Sequence, residues 1–219
     1  IGSDSVVIAP DNIDGYNVTG IGDYAFRDCT NIKDIKLPEA LESIGYSAFR
    51  NCIGLESIKI PSKVKTIGDY AFSDCANIKD IKLPETLESI GYYAFGSCTG
   101  LESIKIPSKV KTIGREAFEY CSNLKKIILP ESVESIGTDA FSGCNEEFTI
   151  YGYEGTYAQQ YANENNIPFK LADDDDFDDN NYIYGNLTLI DPLNWQIGID
   201  GVKYLSLIHI SEPTRPEPI

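Results

Sequence analysis

The sequence predicts a repeat solenoid, a stack of short rungs joined edge to edge by parallel β-strands. Three observations predict it. Cys29, Cys52, Cys75, Cys98, Cys121 and Cys144 recur every 23 residues. Ile21, Ile44, Ile67, Ile90, Ile113 and Ile136 keep the same spacing, as do Phe26, Phe49, Phe72, Phe95, Phe118 and Phe141. An alternating apolar stretch of strand type ends in every unit at a proline: Pro38, Pro61, Pro84, Pro107 and Pro130. A unit of this size cannot bury its own apolar face, whereas stacked units bury one another's.

Within one unit, TIGDYAFSDCANIKDIKLPETLE, each element has a reason. The glycine after the repeated isoleucine supplies a tight bend. Ala-Phe-x-x-Cys is too short for a stable helix and reads as a single helical or 3₁₀ turn, pinned by burial of Phe and Cys. The following L-x-x-I-x-I stretch alternates as a strand, and the proline, having no N–H, ends ladder pairing. Equivalent strands should pair in parallel at ~4.8 Å per rung. A longer period lies on top: residues 22–67 and 68–113 match at 39 of 46 positions, so a two-rung unit has been duplicated.

The pattern Ile-Gly-x-x-Ala-Phe-x-x-Cys-x-x-Leu-x-x-Ile-x-Ile-Pro resembles the BspA-like class of leucine-rich repeats, over about residues 6–171. The resemblance implies a leucine-rich-repeat solenoid with a parallel β-sheet and short helical or 3₁₀ turns. It also implies an extracellular or cell-surface location, as in gut and oral bacteria and some protozoa. Members are implicated in adhesion to host matrix proteins and to other cells, and are not known as enzymes in the repeat region.

The ends read differently. Residues 1–20 form an N-terminal lead-in strand (Val6–Ile8) followed by Asp-Asn-Ile-Asp-Gly turn chemistry, and residues 21–147 form the solenoid. Residues 148–172 form a C-terminal cap: a last strand in FTIYG, then one short helix over 157–165. Thr156 is its N-cap, and Tyr157, Ala158, Tyr161 and Ala162 share one face. Six carboxylates crowd residues 173–179, so 173–181 is an acidic linker. Residues 182–204 alternate around Trp195 as the opening of a further β module, cut short. Leu205–Arg215 reads LSLIHISEPTR, a string that resembles the in-frame translation of a transposase adapter from shotgun sequencing libraries. Residues 205–219 are accordingly expected to be an artefact, and the natural product, which lacks an initiating Met here, to run past Tyr204.

Composition narrows the function classes. Lys and Arg number 18 against 34 Asp and Glu, a net charge of -16, which argues against nucleic acid as a partner. The charge sits at the ends, because residues 21–112 carry 12 bases and 12 acids. His209 is the single histidine and lies in the suspected artefact, so Ser-His-Asp and Cys-His catalysis have no imidazole. No Gly-rich phosphate loop occurs, and no cofactor or membrane insertion is expected. Asp176-x-Asp178-x-Asn180 begins like a calcium loop, but Asn181 and Leu187 stand where glycine and a bidentate acid are needed, so no metal site is expected. Neighbouring cysteines one rung apart lie farther apart at Cβ than the ~3.8 Å a disulfide prefers, which favours a buried ladder of free thiols.

The surface rows hold the candidate binding residues. Lys36, Lys59, Lys82 and Lys105 form an unbroken cationic row on the strand, relieved only in part by Asp34 and Asp80. The rows Lys33, Glu56, Lys79, Glu102, Lys125 and Glu42, Lys65, Glu88, Lys111, Glu134 alternate in sign and read as register locks. A second candidate is the tyrosine set Tyr24, Tyr46, Tyr70, Tyr92 and Tyr93 at the turn before Ala-Phe. The expected function is a non-catalytic, surface-exposed binding or adhesion scaffold for protein or glycan partners, such as host matrix or another cell surface. The alternatives are a structural spacer or an accessory domain of a larger secreted enzyme.

Overall fold

The computed structural model describes residues 5–173, with the backbone alone of Asp80. Each rung contributes two short strands and one chain of tight turns. The longer strands are Val6–Ile8, Asp34–Lys36, Ser57–Lys59, Asp80–Lys82, Ser103–Lys105, Lys126–Ile128, Thr149–Gly152 and Phe169–Leu171. Their hydrogen-bonded pairings are parallel and hold Ile35, Ile58, Ile81, Ile104, Ile127 and Ile150 on the buried face. The shorter strands, Gly20–Ile21, Ser43–Ile44, Thr66–Ile67, Ser89–Ile90, Thr112–Ile113 and Ser135–Ile136, make a second parallel sheet with its isoleucines inward.

The third side of each rung is the Ala-Phe turn. The expected helical or 3₁₀ turn is realised as a run of i→i+3 turns broken by left-handed residues. In the first rung Ala25, Arg27 and Cys29 donate N–H bonds to Gly22, Tyr24 and Phe26. The intervening N–H groups of Tyr24, Phe26 and Asp28 instead cross to the carbonyls of Tyr46, Ala48 and Arg50 on the next rung, at 2.7–2.8 Å. Backbone donors of this rung thus alternate between local turn and neighbouring rung, and none from Tyr24 to Cys29 is left orphaned in a stretch too short for a helix. The alternation requires a positive φ at two positions per rung, filled by Tyr24 and Asp28, then Ser47 and Asn51, then Tyr70 and Asp74.

The repeated Ile-Gly glycine is not there for a left-handed bend. Among the described glycines only Gly15, Gly143 and Gly155 have positive φ. Gly45, Gly68, Gly91, Gly114 and Gly137 are required because an added Cβ would meet backbone or side chain of the rung before. The corrected reason is therefore close approach between rungs.

The core is a set of one-residue columns. Six phenylalanines, Phe26 to Phe141, stack with ring centroids 5.1–5.7 Å apart and planes within 17° of parallel. Offset stacks of this kind contribute ~0.5–1.5 kcal/mol per pair beyond area burial. Beside them runs the cysteine column, whose six thiols are all free.

Both ends depart from the period. The strand Val6–Ile8 pairs in register with Asp34–Lys36, so the lead-in is itself the first rung of the longer sheet. A hairpin, Asn12–Ile13 with Tyr16–Asn17, turns at Asp14-Gly15 and fills the extra length before Gly20. At the other end the helix Tyr157–Glu164 buries Ala158, Tyr161 and Ala162. Tyr161 meets the last stacked ring, Phe141, edge-on at 5.9 Å. Thr156 does not cap this helix with its side chain: its hydroxyl donates to the Tyr153 carbonyl at 2.7 Å, and Gln159 Oε1 accepts the Gly155 N–H instead. The expected acidic linker, further β module, adapter tail and calcium-like loop lie outside the described residues, save Asp173 at the linker's start.

Candidate functional site

Tyr24, Tyr46, Tyr70 and Tyr92 make a continuous zigzag over four successive rungs. Their ring centroids are 5.2, 5.6 and 4.9 Å apart, with interplanar angles of 69°, 64° and 88°. The zigzag follows from the duplicated two-rung unit, which places tyrosine alternately one residue earlier and later. Where tyrosine comes later, the residue before it is Asp23 or Asp69. Each of these carboxylates accepts the backbone N–H of the next rung's tyrosine, Tyr46 at 2.8 Å and Tyr92 at 2.7 Å.

The row is fixed from its sides as well. Arg27 lies over Tyr24 and Arg50 over Tyr70, each 5.5 Å from the ring centroid. Arg27 also pairs with Asp28 at 3.3 Å and Arg50 with Asp74 at 3.4 Å. Tyr93 folds down over Gly96, where no side chain stands in its way, and its hydroxyl lies 2.9 Å from Ser97 Oγ. Tyr92 donates to Glu116 Oε2 at 2.7 Å, and Arg115 chelates the other Glu116 oxygen. Hydrogen bonding with Tyr70 and then with Glu116 pushes the Tyr92 phenol above its ordinary range. The same bond from Tyr92, joined by Arg115, lowers the Glu116 carboxyl. Tyr24 and Tyr46 remain 49% and 37% exposed, so this organised row still faces water.

The second candidate lies on another side of the rung. Lys36, Lys59 and Lys82 are exposed on the longer sheet, Lys105 is half-buried, and Asp34 is exposed beside Lys36. Asp80 takes its expected place opposite Ser57 in the backbone register. The structure extends this face in both directions. Ile8 stands opposite Lys36 at one end. At the other, Lys105 is followed by Ile128, Tyr151 and Lys170. The Tyr151 ring gathers Lys126 Nζ at 4.4 Å and Lys170 Nζ at 5.7 Å. Sequence reasoning missed Tyr151 and Lys170 as members of this row, because the register of the cap strands has no repeat to reveal it, whereas Lys126 keeps the repeat register opposite Ser103. It also missed Arg27, Arg50 and Glu116, whose partnership with the tyrosines shows only once adjacent rungs are superposed.

The cysteine column packs its thiols against the phenylalanine turns. The Cys52, Cys75, Cys98, Cys121 and Cys144 thiols donate to the carbonyls of Phe26, Phe49, Phe72, Phe95 and Phe118, at 3.0–3.4 Å. Burial pushes the Cys98 and Cys144 thiols up to about 12 and raises Cys121 strongly. Thiols held in this neutral form act as small apolar residues with one weak donor. Among the described residues no group of three or more His, Cys, Asp and Glu converges to hold a metal ion. No helix among them is long and apolar enough to cross a membrane.

Comparison with known proteins agrees with this geometry. Six copies of the family described as BspA type Leucine rich repeat region match residues 19–148. The structure is similar to a leucine-rich repeat protein of T. pallidum, at 32% identity and a TM-score of 0.67, covering 69% of this chain and 70% of that one. It is also similar to a leucine-rich repeat protein of Bacteroides ovatus, at 34% identity and a TM-score of 0.62, covering 78% of this chain and 46% of that one. A pneumococcal vaccine antigen, PcpA, shares the fold at 17% identity and a TM-score of 0.54, covering 74% of this chain and 47% of the antigen. No curated protein matches. With its 23-residue period, stacked phenylalanines and thiol column all in register, and six copies matched across more than half its length, the chain belongs to the BspA-type leucine-rich repeat family.

Proposed function

We propose that this protein is a non-catalytic binding scaffold, displayed outside the cell or on its surface, that engages a protein partner through the tyrosine row. The observation that carries the reading is the preorganised zigzag of Tyr24, Tyr46, Tyr70 and Tyr92 on consecutive rungs. Tyrosines present large, amphipathic contact area at low conformational cost. Here that cost is lowered further, because Asp23 and Asp69 fix the backbone and Arg27 and Arg50 fix the rings. Three of the five tyrosines also occupy a left-handed backbone, a conformation costing ~1–2 kcal/mol for residues with a Cβ. Asparagine would bear that position more cheaply, so the rings earn their place by contact.

Kinship with bacterial leucine-rich repeat proteins, and a fold shared with a pneumococcal vaccine antigen, support the surface location. The partner class follows the family's link to adhesion, with extracellular-matrix proteins as the first candidates. The test is solid-phase binding of the full chain to a panel of immobilised matrix proteins, against the variant Tyr24→Ser/Tyr46→Ser/Tyr70→Ser. Saturable binding weakened at least tenfold in the variant, with an unchanged circular dichroism spectrum, is expected. Equal binding by both proteins would reject the tyrosine row, and binding to no panel member would favour a structural spacer.

A further inference from the structure

We propose a second, independent site: the exposed face of the longer sheet binds a linear acidic polysaccharide carrying a carboxylate or sulfate on each sugar. Lys36, Lys59, Lys82 and Lys105 occupy the same position on four consecutive strands. The register continues through Ile128 and Tyr151 to Lys170, and Tyr151 draws Lys126 into the same strip. Six lysines therefore fall on one face, with Asp34 exposed beside Lys36 and Asp80 opposite Ser57 in the backbone register. The neighbouring row Lys33, Glu56, Lys79, Glu102 and Lys125 alternates in sign and carries only one net charge, so the excess positive charge is concentrated on this strip. Like charges directly opposite one another on adjacent strands destabilise a sheet, and a bound polyanion reverses that sign.

Spacing selects the polyanion. Ammonium groups on successive parallel strands repeat at roughly 4.8 Å. Successive sugars of an extended 1,4-linked chain turn their substituents to opposite sides, so a polymer with one acid per sugar sets its same-face acids opposite every second lysine and stays in phase along the strip. An extended acidic peptide does not: its same-face side chains repeat at about 6.6 Å, and it falls out of step within a few strands. The groups between the lysines suit a sugar as well. Ser57 and Ser103 stand two residues before Lys59 and Lys105 and offer hydroxyls to a hydroxyl-rich ligand. Tyr151 adds an aromatic ring between Ile128 and Lys170.

Fluorescence polarisation of the full chain tests this, using a labelled hexamer of galacturonate, an oligoglutamate of equal charge and a neutral glucose hexamer. The galacturonate hexamer is expected to bind at least tenfold more tightly than either competitor, and to weaken as salt rises from 50 to 200 mM. The variant Lys59→Gln/Lys82→Gln/Lys105→Gln should lose at least tenfold in affinity at an unchanged or raised thermal midpoint, while Tyr46→Ser keeps full affinity. Should the triple variant melt early, the single exposed change Lys59→Gln should still weaken binding about threefold. Equal or tighter binding of oligoglutamate would overturn the proposal in favour of an acidic protein surface. Absence of binding, or full affinity in the lysine variants, would overturn it outright.

Discussion

Gly114 packs so closely on Gly91 that a Cβ at position 114 would lie 2.5 Å from both the carbonyl carbon and the carbonyl oxygen of Gly91. Both atoms belong to backbone that is itself bonded to a further rung, so nothing can swing aside. Gly114→Ala is expected to destabilise the chain by about 1–3 kcal/mol, in the range of overpacked cores. The control is Gly22→Ala, where nothing lies within 4 Å and φ is not positive. That change should be neutral or gain a fraction of a kcal/mol. Urea denaturation of both variants measures the difference.

Ser73 should behave in the opposite way. Its hydroxyl is fully buried and has no hydrogen-bond partner. Leaving such a group unpaired costs on the order of 1 kcal/mol or more. Ser73→Ala removes the orphan without touching a contact and should raise stability by about 1 kcal/mol, read from the same denaturation curves. Ser47 has the same orphaned hydroxyl and adds a left-handed φ, so Ser47→Gly should gain at least as much.

The buried thiols make the protein alkali-sensitive. Cys98 and Cys144 are raised from 9.0 to about 12 by burial, so between those values the folded chain keeps protons that the unfolded chain has lost. Stability is then fully present below about pH 9 and falls as pH climbs toward 12, by ~1.4 kcal/mol per pH unit for each such thiol. Thermal midpoints from pH 8 to 11 should fall steeply, and the fall should be shallower in Cys98→Ala.

Thiol reactivity should map the column position by position. Cys29 and Cys144 are half-buried, while Cys52, Cys75, Cys98 and Cys121 are buried. In the native protein a thiol reagent should reach Cys29 first, and Cys144 more slowly because its thiolate is scarcer. After denaturation without reductant, all six should label. Peptide mass mapping separates these cases.

Much of this was legible in the sequence because the period does the work of an alignment. Residues 23 apart become neighbours, so the phenylalanine stack, the thiol column and the lysine row could be written down before any coordinates. What the period could not show was why a residue recurs. The Ile-Gly glycines read as bends, yet they are there because the rungs approach too closely for a Cβ. Non-periodic parts were harder still. The hairpin around Asp14-Gly15 sits in an insertion with no sister copy, and Thr156 bonds backward to Tyr153 although its position is that of a cap. The tyrosine candidates were visible as residues but not as a surface. Their alternation between two positions looks irregular until Asp23 is found holding Tyr46 and Asp69 holding Tyr92.

The most direct test of the binding reading is hydroxyl-radical footprinting of the tyrosines, with the chain free and saturated with the matrix protein it binds. Protection confined to Tyr24, Tyr46, Tyr70 and Tyr92 is predicted, with unchanged oxidation at Tyr16, which is 78% exposed in the N-terminal hairpin. Full oxidation of Tyr24, Tyr46 and Tyr70 in the bound state, or protection centred on Tyr16, would contradict it.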